Sequence, residues 1–167
     1  MSTLYVDNLQ PNLGNAVHAA GHCVQCTHYE IGGTVVDVAT ATWTEFASVS
    51  FTPKYANSHI HIDFIYHVYV QSSATDAWRG ANVRLLRNGV MVGGDDTSHY
   101  GHAYFRTSDA DRSMSYQARM CVDTSHNTTS ALTYSIQGLS RDSVAEMRFN
   151  HQSYGDQCRI RIMEIAQ

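Results

Sequence analysis

The chain has 167 residues and a net charge of −4 with neutral histidines, and only 16% of its residues are charged. Lys54 is the sole lysine and the arginines form no basic run, so neither nucleic acid nor an anionic membrane surface is an expected partner. The length suits one domain with a real core. No apolar run is long enough for a transmembrane helix and no secretion signal opens the chain. We therefore expect a soluble protein, made in the cytoplasm, that does not insert into membranes.

Residues 1–21 predict an extended arm rather than a helix. Some apolar residues in this segment have helical spacing, but Pro11 and Gly14 interrupt them and several asparagines favour turns. An extended arm cannot bury its own apolar side chains, so we expect it to pack on another subunit or on a partner protein. The chain is thus divided into an arm, residues 1–21, and a head domain, residues 22–167.

The rest of the chain predicts one β-strand after another. Alternating or apolar stretches predict strands at 22–31, 34–39, 45–53, 58–71, 83–92, 100–107, 114–123, 132–137, 144–149 and 158–165. Within 83–92, Asn88-Gly89 separates two apolar runs and predicts a hairpin with a two-residue turn. Residues 72–81 are expected to form a loop. No segment predicts a helix, so the expected fold is all-β: an antiparallel β-sandwich or jelly roll.

The longest predicted strand, 58–71, has two different faces. Its even positions are all apolar and require a core, because side chains alternate between the faces of a strand. Its odd positions mix histidine and hydroxyl groups with Ile65, which is too polar for a core and too apolar for an ordinary wet face. This mixture predicts a subunit interface or a second packed layer. The candidate interface residues are His59, His61, Asp63, His67 and Tyr69.

Two motifs suggest metal ligands. Cys23-Val24-Gln25-Cys26, flanked by His22 and His28, resembles a zinc half-site, but positions three apart in a continuous strand face opposite sides. We therefore favour buried free thiols. His59 and His61 share one strand face, and three copies around an axis would offer six nitrogens to an octahedral metal. We favour hydrogen bonds from His59, His61 and His67 across a subunit interface, because polar interface residues are ordinary. We therefore expect no metal and no cofactor.

Acidic motifs do not predict an enzyme. The tetrapeptide Asp-Thr-Ser-His occurs at 96–99 and again at 123–126. It resembles the aspartic-protease triplet, but the glycine that completes that motif is missing, and Asp and Ser at strand ends favour turns. The other clustered acids, at 95–96 and 109–111, are typical of loop tips. A polysaccharide-degrading enzyme would need two carboxyl groups in one groove, both placed at the same glycosidic bond, so we expect no catalytic residues.

Aromatic residues and an arginine in or beside the predicted loops are candidate binding residues. They are Trp78, Arg79, Tyr100 and Tyr154. Exposed aromatic side chains together with arginine can bind sugar rings or a protein surface, because they offer a large rigid contact area. Packing at the edge of the core is an equally good explanation for them.

Motifs at both ends of the chain and in one hairpin carry a family resemblance. These motifs are the opening MSTLYVDNLQPNLG with AAGHCVQ at 19–25, the hairpin LLRNG at 85–89, and the closing IMEIAQ. They resemble the corresponding segments of tail-fibre-like structural proteins of marine bacteriophages. The resemblance implies a virion protein and a homotrimer, with a jelly-roll head similar to the tumour necrosis factor and complement-type heads. Cys26 and the abundance of histidine depart from the pattern.

What the resemblance implies is a non-enzymatic virion component, assembled in the host cytoplasm. Three copies would attach to other virion proteins through the arm, and exposed loops would contact a host surface glycan or protein as a tail fibre or receptor-binding head. The alternative is a decoration or cement protein, which would clamp capsid or tail subunits and need no host ligand.

Overall fold

The computed structural model describes residues 20–31, 35–38, 42–72, 77–94, 103–107, 112–140, 145–150 and 158–167. Within these ranges the chain is all-β. The strands are β1 (Cys23–Ile31), β2 (Val36–Asp37), β3 (Thr44–Phe51), β4 (His59–Ser72), β5 (Ala77–Arg87), β6 (Val90–Gly94), β7 (Ala103–Thr107), β8 (Arg112–Asp123), β9 (Leu132–Ser140), β10 (Ala145–Phe149) and β11 (Cys158–Ile165). The predicted arm, residues 1–21, lies outside the described residues except for its last two positions.

The strands pair as nested antiparallel hairpins. β1 pairs with β11, β3 with β9, β4 with β8, and β5 with β6. These pairs assemble into two sheets because β11 also lies beside β4, and β9 also lies beside β5. This is the strand order of a jelly roll, so the predicted fold class is confirmed.

The two sheets pack face to face around one core. The first sheet has the order β1-β11-β4-β8, and β10 and β2 extend the β11 side along the second half of β4. The second has the order β3-β9-β5, with β6 and β7 beside the far edge of β5. As predicted, the apolar row of β4 is buried between the sheets. The row is Ile60, Ile62, Phe64, Tyr66, Val68 and Val70. No helix in the described part of the chain has the length and hydropathy needed to cross a membrane.

The Asn88-Gly89 hairpin is confirmed. Asn88 has φ 48° and Gly89 has φ 82°, which is the pair of positive angles that a two-residue hairpin turn requires. The turn is also tied to β9, because the Asn88 side-chain oxygen accepts a hydrogen bond from the Thr133 amide at 2.8 Å. The hairpin therefore has a fixed position over the neighbouring strand.

Two local predictions were wrong. Residues 72–81 do not form one loop, because β5 begins at Ala77 and its first residues pair with β7. Small and polar residues such as Gly80 give the start of β5 no strand pattern in the sequence. Its extended conformation is determined by pairing with β7 and β9. Of the described residues 35–38 within the strand predicted at 34–39, only Val36–Asp37 form a strand, β2.

Candidate subunit interface

The mixed row of β4 lies on the outer face of the first sheet. His59, His61 and Asp63 are half-buried there, and Ile65 is 44% exposed. His67 and Tyr69 are buried in the single chain. The first three residues are therefore accessible to a second subunit, and the interface role of all five candidate residues stays a prediction.

Strand β8 continues this outer face with large apolar side chains. Met114, Tyr116, Met120 and Val122 alternate along the strand and are 44%, 62%, 73% and 42% exposed. Ile65 lies beside them, opposite Ala118 in the pairing of β4 with β8. Ile65, Met114, Tyr116, Met120 and Val122 form what we call the apolar patch. The alternation of β8 in the sequence predicts the strand but not the exposure of these side chains.

The polar row of β8 faces inward. Cys121 is half-buried and packs so close to β6 that a Cβ on Gly93 would lie 2.2 Å from its Sγ. Asp123 is 2% exposed, and its Oδ2 accepts a hydrogen bond from the Tyr134 hydroxyl at 2.8 Å. Its Oδ1 accepts from Arg87 at 2.6 Å. These contacts fix the polar row of β8 toward the other sheet, so the apolar row of the same strand faces solvent.

The Asp123 carboxylate is stabilised in its charged form. Burial alone would raise its pKa, but hydrogen bonds from the Ser125 amide, Tyr134 and Arg87 outweigh burial and hold the pKa below its usual value. Burial, followed by the hydrogen bond to Asp123, raises the pKa of Tyr134. The bond from the Ser125 amide at 3.1 Å also closes the turn predicted for the tetrapeptide at 123–126.

A second buried carboxylate lies at the end of β11. Glu164 is fully buried and accepts hydrogen bonds from the backbone amides of Lys54 and Tyr55, at 2.9 and 2.8 Å. The Ser58 hydroxyl donates to Glu164 at 2.7 Å, and the side-chain amide of Gln25 donates to it at 2.6 Å. Burial alone would raise the pKa of Glu164, but these donors lower it. The carboxylate thus joins β1, β11 and the connection between β3 and β4.

We expect the free energy of unfolding to fall below about pH 4.5. Both Asp123 and Glu164 have a lowered pKa in the folded chain. Their contribution is therefore present above the pKa of the unfolded chain and is lost as pH falls through the folded pKa. Urea unfolding as a function of pH measures this, and Asp123→Asn should flatten the acid dependence. Asp37→Asn, at a 74% exposed carboxylate, is the control, and an equal slope in both variants would contradict the assignment.

Ser58, His126 and Glu164 form a cluster that contains catalytic residue types in a non-catalytic arrangement. The Ser58 hydroxyl donates to Glu164, while the His126 ring nitrogen lies 3.4 Å from the same hydroxyl and 3.0 Å from the Tyr55 carbonyl. In a nucleophilic triad the histidine would lie between serine and carboxylate. Ser58 is also only 1% exposed, so a substrate has no access to it. The cluster holds the connection between β3 and β4 against the sheet.

Charged residues occupy the other half of the outer face. Arg161 donates two hydrogen bonds to Asp63, and Arg159 lies 3.5 Å from Glu30. An open trough of about 330 Å³ lies along these residues, between β1 and β4. This part of the face carries acid and base in equal number.

The cysteines differ from their predicted environment. A register shift between Cys23 and Gln25 places Cys23 opposite Ile165 and Cys26 opposite Met163, so both thiols lie on the outer face and are exposed. The predictions of diverging and buried thiols were wrong here because a bulge breaks the strand alternation. Cys158 is buried, which raises its pKa to about 12. Among the described residues no group of three or more metal-ligand side chains converges.

Comparison with solved structures gives weak similarities, of which two are described here. No protein-family model and no curated protein matches the sequence. The chain is similar to dimeric latent PorU from Porphyromonas gingivalis, with a TM-score of 0.36 and 9% identity, over 94% of this chain and 14% of that chain. It is also similar to a structure of infectious bursal disease virus strain Gx, with a TM-score of 0.29 and 10% identity, over 97% of this chain and 40% of that chain. Similarities of this size support no functional argument.

The described structure does not test whether the four candidate binding residues lie together. Trp78 and Arg79 belong to the first part of β5, where they pair with β7, rather than to a loop. Their side chains lie outside the described part, as do Tyr100 and Tyr154 altogether. Their binding role stays a prediction.

Proposed function

We propose that this chain is a bacteriophage virion structural protein, a homotrimeric head that contacts the host surface as a tail fibre or receptor-binding head. Three features support the proposal. The ends of the sequence resemble tail-fibre-like proteins, the fold is a jelly roll, and one sheet exposes the apolar patch to solvent. The apolar patch is the observation that carries it.

The apolar patch favours association with further copies of the chain. A contiguous apolar surface on a soluble protein marks an interaction site, because its burial removes apolar area from water. The rest of the same face pairs Arg161 with Asp63 and Arg159 with Glu30, so a second copy meets no excess of like charge. Closed symmetric assemblies are the usual outcome of such self-association. We infer three copies from the resemblance to tail-fibre-like proteins, and in such a closed assembly each copy hides the patch of another.

Sedimentation analysis of matched arginine variants tests the association. Met120→Arg places a charge in the apolar patch at a side chain that is 73% exposed, and we expect it to weaken association about 100-fold or more. Val90→Arg is the control, because Val90 is 61% exposed but belongs to the second sheet. It should leave the trimer intact. A wild-type chain that is monomeric at micromolar concentration would overturn the proposal.

Adsorption experiments then test the host contact. We expect the purified trimer to bind host cells and to compete with virions for adsorption. A trimer that binds virions lacking it, but not host cells, would be a decoration or cement protein instead.

A further inference from the structure

Histidines share the outer face of the first sheet with the apolar patch. His59 and His61 are half-buried on β4, and His28 is exposed on β1. The two arginines of β11 are each paired with an acid, so their charges on this face are balanced. Because an ordinary histidine titrates near pH ~6.5, mild acid changes the net charge of this face through its histidines.

His61 borders the apolar patch and is accessible in the single chain. It lies directly opposite Val122 in the pairing of β4 with β8. His67 also borders the patch, opposite Tyr116 with 5.2 Å between the ring centroids, but it is only 2% exposed before any association. Covering the patch with a second copy therefore changes the surroundings of His61 far more than those of His67.

The neighbours of His61 do not compensate a positive charge on its ring. The side chains around it on the same face, along β4 and from β1, β8 and β11, are His59, Asp63, Cys26, Val122 and Met163. Asp63 is the one carboxylate in this group, and Arg161 already donates two hydrogen bonds to it. His59 is a second imidazole, and two protonated imidazoles repel each other.

We propose that mild acid dissociates the assembly by protonating His61 at the border of the apolar patch, an inference that rests on the proposed function. A second copy can cover a neutral imidazole at little cost. An imidazolium ion would lose its water there, and it finds no unpaired carboxylate among the described residues of this face. The separate chain therefore binds the proton more tightly than the assembly does, and the association constant falls as pH falls.

The two buried carboxylates do not confound dissociation in mild acid. Asp123 and Glu164 both have a lowered pKa in the folded chain. They stay charged at about pH 5.5, because acid removes their contribution to stability only below about pH 4.5. Dissociation between about pH 7.5 and 5.5 is thus separable from the acid unfolding that these two groups produce.

Sedimentation of the full chain at pH 7.5 and at pH 5.5, at constant ionic strength, tests the proposal. For each copy the cost of removing one proton grows about 10-fold per pH unit below about pH 6.5, so the association constant of three copies should fall roughly 1000-fold at pH 5.5. His61→Gln cannot take up a proton and should stay associated at pH 5.5. His61→Lys carries a fixed charge and should associate more weakly than wild type already at pH 7.5.

His28→Gln is the matched control for His61→Gln. His28 is an exposed histidine on the same face, but β11 lies between its strand and β4, so it does not border the apolar patch. This variant loses one titratable group and should still dissociate in acid like wild type. Far-UV circular dichroism accompanies each measurement and should show the native spectrum at both pH values.

The outcomes separate this inference from the proposed function. A wild-type chain that is monomeric at pH 7.5 overturns the proposed function. A wild-type trimer that associates equally tightly at pH 5.5 overturns the pH inference alone. The same holds if His61→Gln dissociates like wild type, if His61→Lys associates like wild type, or if His28→Gln no longer responds to acid. Loss of the native spectrum at pH 5.5 also overturns it, because dissociation would then follow from unfolding.

Discussion

Replacing Glu164 with alanine should destabilise the chain by about 3 kcal/mol or more. The substitution leaves the backbone amides of Lys54 and Tyr55 without their buried acceptor, whereas the Ser58 hydroxyl can still donate to the Tyr55 carbonyl at 2.8 Å. Hydrogen bonds to a charged group are among the stronger ones, and an unsatisfied buried donor loses the full benefit of hydration. For a domain of this length the expected fall in melting temperature is roughly 10 °C. Thermal unfolding at a fixed protein concentration measures it.

Glu30→Ala is the matched control for Glu164→Ala. The Glu30 side chain is 66% exposed and lies 3.5 Å from Arg159, so its loss should change stability by less than about 0.5 kcal/mol. The two substitutions remove the same group and differ only in burial and partners. A melting temperature of Glu164→Ala equal to that of Glu30→Ala would mean that the carboxylate does not hold the connection between β3 and β4.

Local signals in the sequence predicted much of the fold. The alternation of β4 and the Asn88-Gly89 turn each depend on residues close together in the chain, and the structure confirms both. The strand predicted at 158–165 has the observed bounds, β11 (Cys158–Ile165). Such features follow from strand periodicity and turn chemistry, which act over a few residues.

The orientation of β8 could not be predicted in this way. Its alternation separates an apolar row from a polar row, but it does not say which row faces the other sheet. Usual burial preferences would turn Met114 and Met120 inward, whereas Asp123 and Cys121 find their partners inside. Those partners lie on β5, β6 and β9. The apolar patch therefore emerges only from tertiary contacts.

Glu164 illustrates the same limit. It occupies the inward row of β11 after Ile160 and Ile162, where a carboxylate is unexpected. Its donors, Lys54 and Tyr55, are 110 and 109 residues away along the chain. The sequence shows only that a glutamate interrupts the apolar row of β11. The buried hydrogen-bonding role of this glutamate follows from the pairing of strands that are distant in the chain.

Gly138→Ala should destabilise the chain by about 3 kcal/mol through a steric clash in the core. A Cβ on Gly138 would lie 2.3 Å from Cε2 and 2.7 Å from Cζ of Phe149. The Phe149 ring is fully buried and stacks on Phe46 with 4.3 Å between ring centroids, so it has little room to move. Urea unfolding measures the loss.

A double-mutant cycle with Phe149→Leu distinguishes this clash from other effects. Leucine lacks the ring atoms that the new methyl group would meet, so the double variant should be more stable than the sum of the single effects predicts, by about 1 kcal/mol or more. Gly89→Ala gives the contrast. A Cβ there meets no atom within 4 Å, but φ is 82°, so backbone strain alone should cost about 1 kcal/mol. Phe149→Leu should not relieve that loss, and additivity at Gly138 would show that the ring is not what excludes a side chain.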